Sequence, residues 1–296
     1  MTAPTAYGLA AILLWATLAS LTAAVPGLPP FLLATFSFAV ATLVGLVSSL
    51  WFRTPLWTVL RTVPTSSWAL GVYGLLGYHV CYFYAFRHAP ALEVNLVNYL
   101  WPLLIVVFSG LLPARLGGSR LRWWHVAGAF LGFAGTALVL AGAGASGLAL
   151  SGSAGGYLAA LAAAFIWSSY SVATRLYAAV PTAAVTGSCA LTAVGALAGH
   201  LAFEPSIWPA TALQWSIVLA QGLGPVGLAF YLWDAGMKHG NIRLIGVLSY
   251  ATPLLSTLLL TLSGLGQPTS LIWLAALLVT AGALLAGRES WAGTKR

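Results

Sequence analysis

The sequence predicts an all-α integral membrane protein: ten transmembrane helices forming two inverted five-helix repeats around a central cavity. Three observations carry this expectation: a composition almost free of charge, a confinement of Lys and Arg to alternate loops, and an internal match at an offset of 151 positions. Of 296 residues, 60% are hydrophobic and only 5% charged, against roughly a quarter charged in ordinary soluble domains. Mean hydropathy is +0.94. Apolar stretches of about twenty residues recur along the chain, as a bilayer-spanning helix requires, without the alternation of roughly ten-residue barrel strands.

With Pro, Gly and charge clusters as punctuation, spans fall at 7–25, 30–50, 67–86, 91–112, 123–142, 155–178, 182–203, 213–233, 242–263 and 269–287. The first, within "MTAPTAYGLAAILLWATLASLTAAV", lacks the basic n-region of a secretory signal and reads as a spanning helix. The third holds His79 between Tyr78 and Tyr82, and the fourth, "EVNLVNYLWPLLIVV", carries a polar stripe. In the fifth, Gly128, Gly132 and Gly135, with Gly282 of the tenth, have the spacing of close helix packing. Cys81 and Cys189 lie inside apolar segments of the third and seventh, with no metal-ligand spacing and no expected bridge.

A net charge of +8 raises the question of nucleic acid, but the twelve Lys and Arg are scattered between apolar runs, so no nucleic-acid partner is expected. Topology explains them better. With a cytoplasmic start, inner loops hold Arg53, Arg61, Arg115, Arg120, Arg122, Arg175, Lys238, Arg243, Arg288, Lys295 and Arg296, and outer loops hold Arg87 alone. This positive-inside bias predicts both termini in the cytoplasm.

Sliding the chain by 151 positions sets Arg87-His88 on Lys238-His239 and "YLWPLL" (99–104) on "YATPLL" (250–255). Tyr99 then meets Tyr250, and Pro102 meets Pro253. Near the same offset Trp15 and Thr22 meet Trp167 and Thr174. The expected units are a first repeat over 1–145 and a second over 151–296, within one membrane body. Five spans per repeat is an odd number, so the second copy enters from the opposite side, an architecture of carriers that expose a midplane site alternately to either face.

In these features the chain resembles the drug/metabolite transporter superfamily, in its EamA-type ten-helix branch. Within that branch "NLVNYLWPLL" resembles the bacterial aromatic amino acid exporters. The resemblance implies export of amino acids or metabolites across the cytoplasmic membrane from a central cavity, with the fifth helix of each repeat peripheral.

Polar groups at membrane depth need partners or water and so mark a pathway or a helix contact. Asn95, Asn98, Tyr99 and Pro102 share one helix face by their i, i+3, i+4, i+7 spacing. Pro102 removes the donor that would bond the carbonyl of Asn98, freeing it beside two amides. The matching stripe in the other repeat is Gly246, Ser249, Tyr250 and Pro253, with Pro102 and Pro253 expected as hinges or gates. His79, whose counterpart is Phe230, is a candidate for carboxylate binding or proton transfer, against a neutral histidine bonded to a neighbouring helix. Trp167, Tyr170, Ser171 and Thr174 share a face of the sixth span, and Trp101, Tyr231 and Trp233 supply further walls. The expected substrate-binding set is thus Tyr78, His79, Tyr82, Asn95, Asn98, Tyr99, Trp101, Trp167, Tyr170, Ser171, Tyr231, Ser249 and Tyr250.

Glu93, Glu204, Asp234 and Glu289 all fall at span ends or in loops. A lipophilic cation calls for a midmembrane carboxylate and a nucleotide sugar for a deep basic residue. Neither is apparent, which favours a neutral or zwitterionic amino acid or similar metabolite, carried without metal or cofactor among membrane lipids. An intramembrane enzyme is the reading from another class; it needs a nucleophile and base or a metal cluster at one depth, and the chain has no HExxH and no clustered His and Asp.

Overall fold

The computed structural model describes residues 3–109, 122–145, 150–239, 249, 252–286 and 288, and these are helical or in short turns, with no strand among them. Helix α1 (Ala3–Ala23) leads by a short turn into α2 (Pro30–Trp51). Pro30 begins α2 and lacks a donor that a first turn would leave open, and the next two N–H groups, of Phe31 and Leu32, donate to the Glu204 carboxylate at 2.8 and 3.1 Å. His200 Nδ1 lies 3.0 Å from the same carboxylate. A loop acid thus caps a helix that begins 174 positions earlier, satisfying groups a helix start otherwise leaves open.

A short exposed helix, α3 (Leu56–Thr62), sits between Pro55 and Pro64 and belongs to no expected span. The third span is α4 (Thr65–Val72), a π-helical turn over Tyr73–Gly77, and α5 (Tyr78–His88). The fourth is α6 (Ala91–Asn98) and α7 (Trp101–Ser109), interrupted at Tyr99 and Leu100. Then come α8 (Trp123–Ala145), α9 (Leu150–Ala173) with a 3₁₀ turn over Thr174–Tyr177, and α10 (Ala184–Phe203). The eighth expected span is α11 (Ala212–Leu223), a second π-helical turn over Gly224–Leu228, and α12 (Ala229–His239). The described remainder is α13 (Thr252–Leu262) and α14 (Ser270–Ala286).

The two π turns begin 151 positions apart, at Tyr73 and Gly224; α5 and α12 begin and end 151 apart; and α7 and α13 begin 151 apart. Packing follows the same correspondence across the halves. Helix α1 runs along α12 and touches α13, while its counterpart α9 runs along α5 and touches α7. Likewise α2 lies on α10, and α8 on α14. At the α8–α14 crossing a Cβ on Gly282 would meet the backbone of Gly128 and Gly132, and one on Gly135 the Ala275 carbonyl, so these glycines set the interhelical distance.

Six described segments are long and apolar enough to cross a bilayer: Ala3–Ala23, Pro30–Trp51, Thr65–His88, Ala154–Ala173, Ala184–Phe203 and Ala212–Gly236. Large apolar side chains face outward, among them Leu43 and Val47 on α2, Phe130 on α8, and Val194 and Leu201 on α10. An outside this apolar suits lipid, where burial rather than hydration sets the pattern.

Candidate functional site

The interrupted fourth span begins the site. Pro102 is buried at the start of α7 and has no N–H, so the helix ladder tightens before it. Tyr99 N bonds the Asn95 carbonyl at 3.0 Å, Leu100 N turns back to Val97 at 3.2 Å, and regular spacing resumes with Leu104 N on Leu100 at 2.9 Å. Ser168 Oγ on α9 donates to the Trp101 carbonyl at 3.0 Å, pinning the break to the other half.

This break presents Asn98, Tyr99 and Trp101 to a cavity of about 30 Å³, closed further by Tyr78, His79 and Tyr82 of α5, Trp15 and Leu18 of α1, Trp167 of α9 and Phe230 of α12. That volume holds a water or two and no aromatic ring. Its walls are aromatic and interlocked. Trp15 and Trp167 meet edge to face with centroids 5.5 Å apart, and Trp233 backs Trp15 at 4.8 Å. Tyr78 lies 5.4 Å from Trp167, and His79 5.7 Å from Phe230. Residues matched by the repeat thus face one another: Trp15 with Trp167, and His79 with Phe230. Trp15 is held in place by its indole N–H, which donates to the Pro225 carbonyl in the second π turn at 3.0 Å.

Two polar groups interrupt this surface. His79 is fully buried among the rings of Phe38, Tyr78 and Phe83, at 4.8, 4.9 and 5.5 Å. Its Nδ1 lies 2.9 Å from the Leu75 carbonyl. A carbonyl only accepts, so Nδ1 carries the hydrogen; burial among rings with no acid beside it favours the neutral ring, whose Nε2 is then a lone pair without a partner among the described residues. Asn98 Nδ2 donates to the Tyr78 hydroxyl at 3.1 Å, and its Oδ1 is also buried without a partner among the described residues.

The other expected residues lie elsewhere. Asn95 is buried against α13, donating from Nδ2 to Ser256 Oγ at 3.0 Å, with the hydroxyl 3.3 Å from Oδ1. Tyr231 donates to the Ala41 carbonyl at 3.1 Å and sits 3.3 Å from Thr186 Oγ1, tying α12 to α2 and α10. Tyr170 packs on Trp167 at 5.3 Å, with its ring over Gly74 in the first π turn. Ser171, half-buried on α9, does not line the cavity. Ser249 is buried and its carbonyl accepts from Thr252 Oγ1 at 2.7 Å. Pro253 is the second residue of α13, and Tyr250 lies outside the described residues.

Sequence reasoning left Trp15, Leu18 and Phe230 out of the site. The signal was present: Trp15 and Phe230 are the positions that the internal match sets against Trp167 and His79, and the structure brings both members of each pair to the cavity. None of the lining residues is acidic or basic apart from the neutral His79. Three acids are engaged away from the cavity: Glu93 accepts from Tyr157, Asp234 from Thr182, and Glu204 caps α2.

Comparison with known proteins adds to this geometry. The family described as EamA-like transporters matches the chain twice, over residues 4–141 and 154–288. An aromatic amino acid exporter YddG of Ancylobacter novellus is 50% identical over 283 residues, covering 95% of this chain and 96% of that protein. The aromatic amino acid exporter YddG of Escherichia coli K12 is 32% identical over 312 residues, covering 99% of this chain and 98% of its own. A solved crystal structure 47% identical in sequence has a TM-score of 0.77, over 98% of this chain and 99% of its own.

Proposed function

The chain belongs to the EamA-like transporter family, and we propose that it exports aromatic and other apolar amino acids across the bacterial inner membrane. The observation that carries this reading is the small cavity, walled by rings from both halves, with no acid, Lys or Arg among its described lining residues. Such a surface suits a cargo with an aromatic body and a compact polar end. The relatives in Ancylobacter novellus and Escherichia coli, aromatic amino acid exporters by name, support the same cargo.

In this reading the protein has ten spans in two inverted repeats, over 1–145 and 151–296, with both termini in the cytoplasm. The double family match, the 151-residue spacing of π turns and helix breaks, and the exchange of packing partners support it. Alternating access follows from rocking the halves about the cavity. Two close approaches serve as seals. A Cβ on Gly236 would meet the backbone of Gly8, holding α12 to α1, and a Cβ on Gly156 would meet Ala89 and the backbone of His88, holding α9 to α5. Parting one pair while keeping the other opens the cavity to one side.

Counterflow tests the reading. Purified protein in liposomes loaded with tryptophan is expected to accumulate labelled tryptophan and phenylalanine, with threonine weaker and a nucleotide sugar absent. No exchange of any amino acid overturns the assignment.

A further inference from the structure

We propose that His79 Nε2 and Asn98 Oδ1 form a receptor for the primary ammonium group of the cargo. A free ammonium, rather than a carboxylate, is then the head group the site demands, and amides and decarboxylated amines of aromatic amino acids belong to its cargo class. The proposal rests on the transport reading above and deepens it.

Buried polar atoms without partners are rare in native structures and call for an explanation. Twelve such side-chain atoms occur among the described residues, and two of them, His79 Nε2 and Asn98 Oδ1, belong to residues lining the one small cavity; each is fixed by the opposite end of its own side chain. The Leu75 carbonyl holds His79 Nδ1, and the Tyr78 hydroxyl takes Asn98 Nδ2. What both have left to offer is an acceptor. An ammonium has three donors and no acceptor, whereas a carboxylate only accepts and would set lone pair against lone pair. Trp15, Trp167 and Phe230 line the same cavity, and aromatic rings attract a cation placed over them.

The carboxylate has no such receptor. No Lys or Arg is among the described lining residues, whose remaining side-chain donors are phenol hydroxyls and indole N–H groups, that of Trp15 being already given to Pro225. An amino acid still makes the best cargo, since a zwitterion carries its own counter-charge into a site without ions. The repeat sharpens the assignment. The position matching His79 is Phe230 and that matching Asn98 is Ser249, so aromatic surface comes from both halves and the receptor from one.

The test uses four competitors of labelled tryptophan counterflow: tryptophanamide and tryptamine, which keep the ammonium, and N-acetyltryptophan and indole-3-propionate, which keep only the carboxylate. The first two are expected to compete at least about tenfold better than the last two, the worth of one lost charge-assisted hydrogen bond. The reverse order, or equal potency of all four, overturns the proposal. The same four ligands are ranked by thermal stabilisation of the purified protein, which reads the head group even if no tryptophan exchange occurs; that failure sinks the transport reading alone. Among variants, His79→Phe, which copies the residue at the matching position in the other repeat, is expected to erase the discrimination. Should it not fold, Asn98→Asp decides, since an added negative acceptor favours tryptamine further over indole-3-propionate, and a shift toward the acid overturns the receptor.

Discussion

Asn95 and Asn98 are the same side chain one helical turn apart, and the fold gives them different tasks. Asn95 clamps α6 to α13 through Ser256, and Asn98 lines the cavity with an oxygen that has no partner among the described residues. Asn95→Leu is therefore expected to lower thermal stability by about 1 kcal/mol, the scale of an interhelical hydrogen bond in a membrane protein, while leaving the order of cargo preference intact. Asn98→Leu is expected to keep normal protein levels and lose about tenfold or more of transport; unchanged counterflow would return Asn98 to a packing role. Helical spacing in the sequence reveals that the two share a stripe. It is silent on which of them finds a protein partner, because Ser256 lies 161 positions away and no local pattern encodes that meeting. Tyr231 illustrates the same limit: its hydroxyl looks like cavity lining in sequence, yet it is engaged by the Ala41 carbonyl.

At the scale of the element, the fourth span and the third contrast in how openly the chain announces a break. Pro102 signals the first, since a missing donor can be read directly from the residue. The π turns over Tyr73–Gly77 and Gly224–Leu228 are invisible to periodicity, because one wider turn hardly disturbs an apolar run. Their positions beside the site match the common placement of such turns. Each is held by an aromatic side chain from across the molecule: Pro225 receives the Trp15 indole, and Gly74 lies under the Tyr170 ring. A methyl group on Gly74 would collide with that ring. Gly74→Ala is expected to cost about 1–3 kcal/mol by overpacking, with Tyr170→Leu recovering much of the loss in a double mutant measured by thermal unfolding. Neutrality of the single variant would mean that the ring does not anchor the turn.

For the whole molecule, composition and the charge count speak for a multi-pass membrane protein, and the offset of 151 recurs in the helix boundaries. What composition does not contain is how closely Gly8 meets Gly236 and Gly156 meets Ala89. Those contacts are set by the relative tilt of two halves, not by any one segment. The proposed orientation is open to a direct check in a background of Cys81→Ala and Cys189→Ala. A Thr58→Cys label site on α3 is expected to react with a membrane-impermeant thiol reagent only in inverted vesicles, and Ala210→Cys only in intact cells, both positions being exposed. Labelling in the opposite pattern would reverse the proposed topology.

The paired indoles of Trp15 and Trp167 bear on how the cell can use such a carrier. Each half lends the same kind of ring to the shared pocket, and in the proposed alternating-access reading an aromatic body lodged there keeps an indole partner whichever half has swung aside. A ligand held equally in two conformations biases neither. On that reading the rings supply no ratchet of their own: they act as a relief valve, and the compartment that has overfilled dictates the direction of flow.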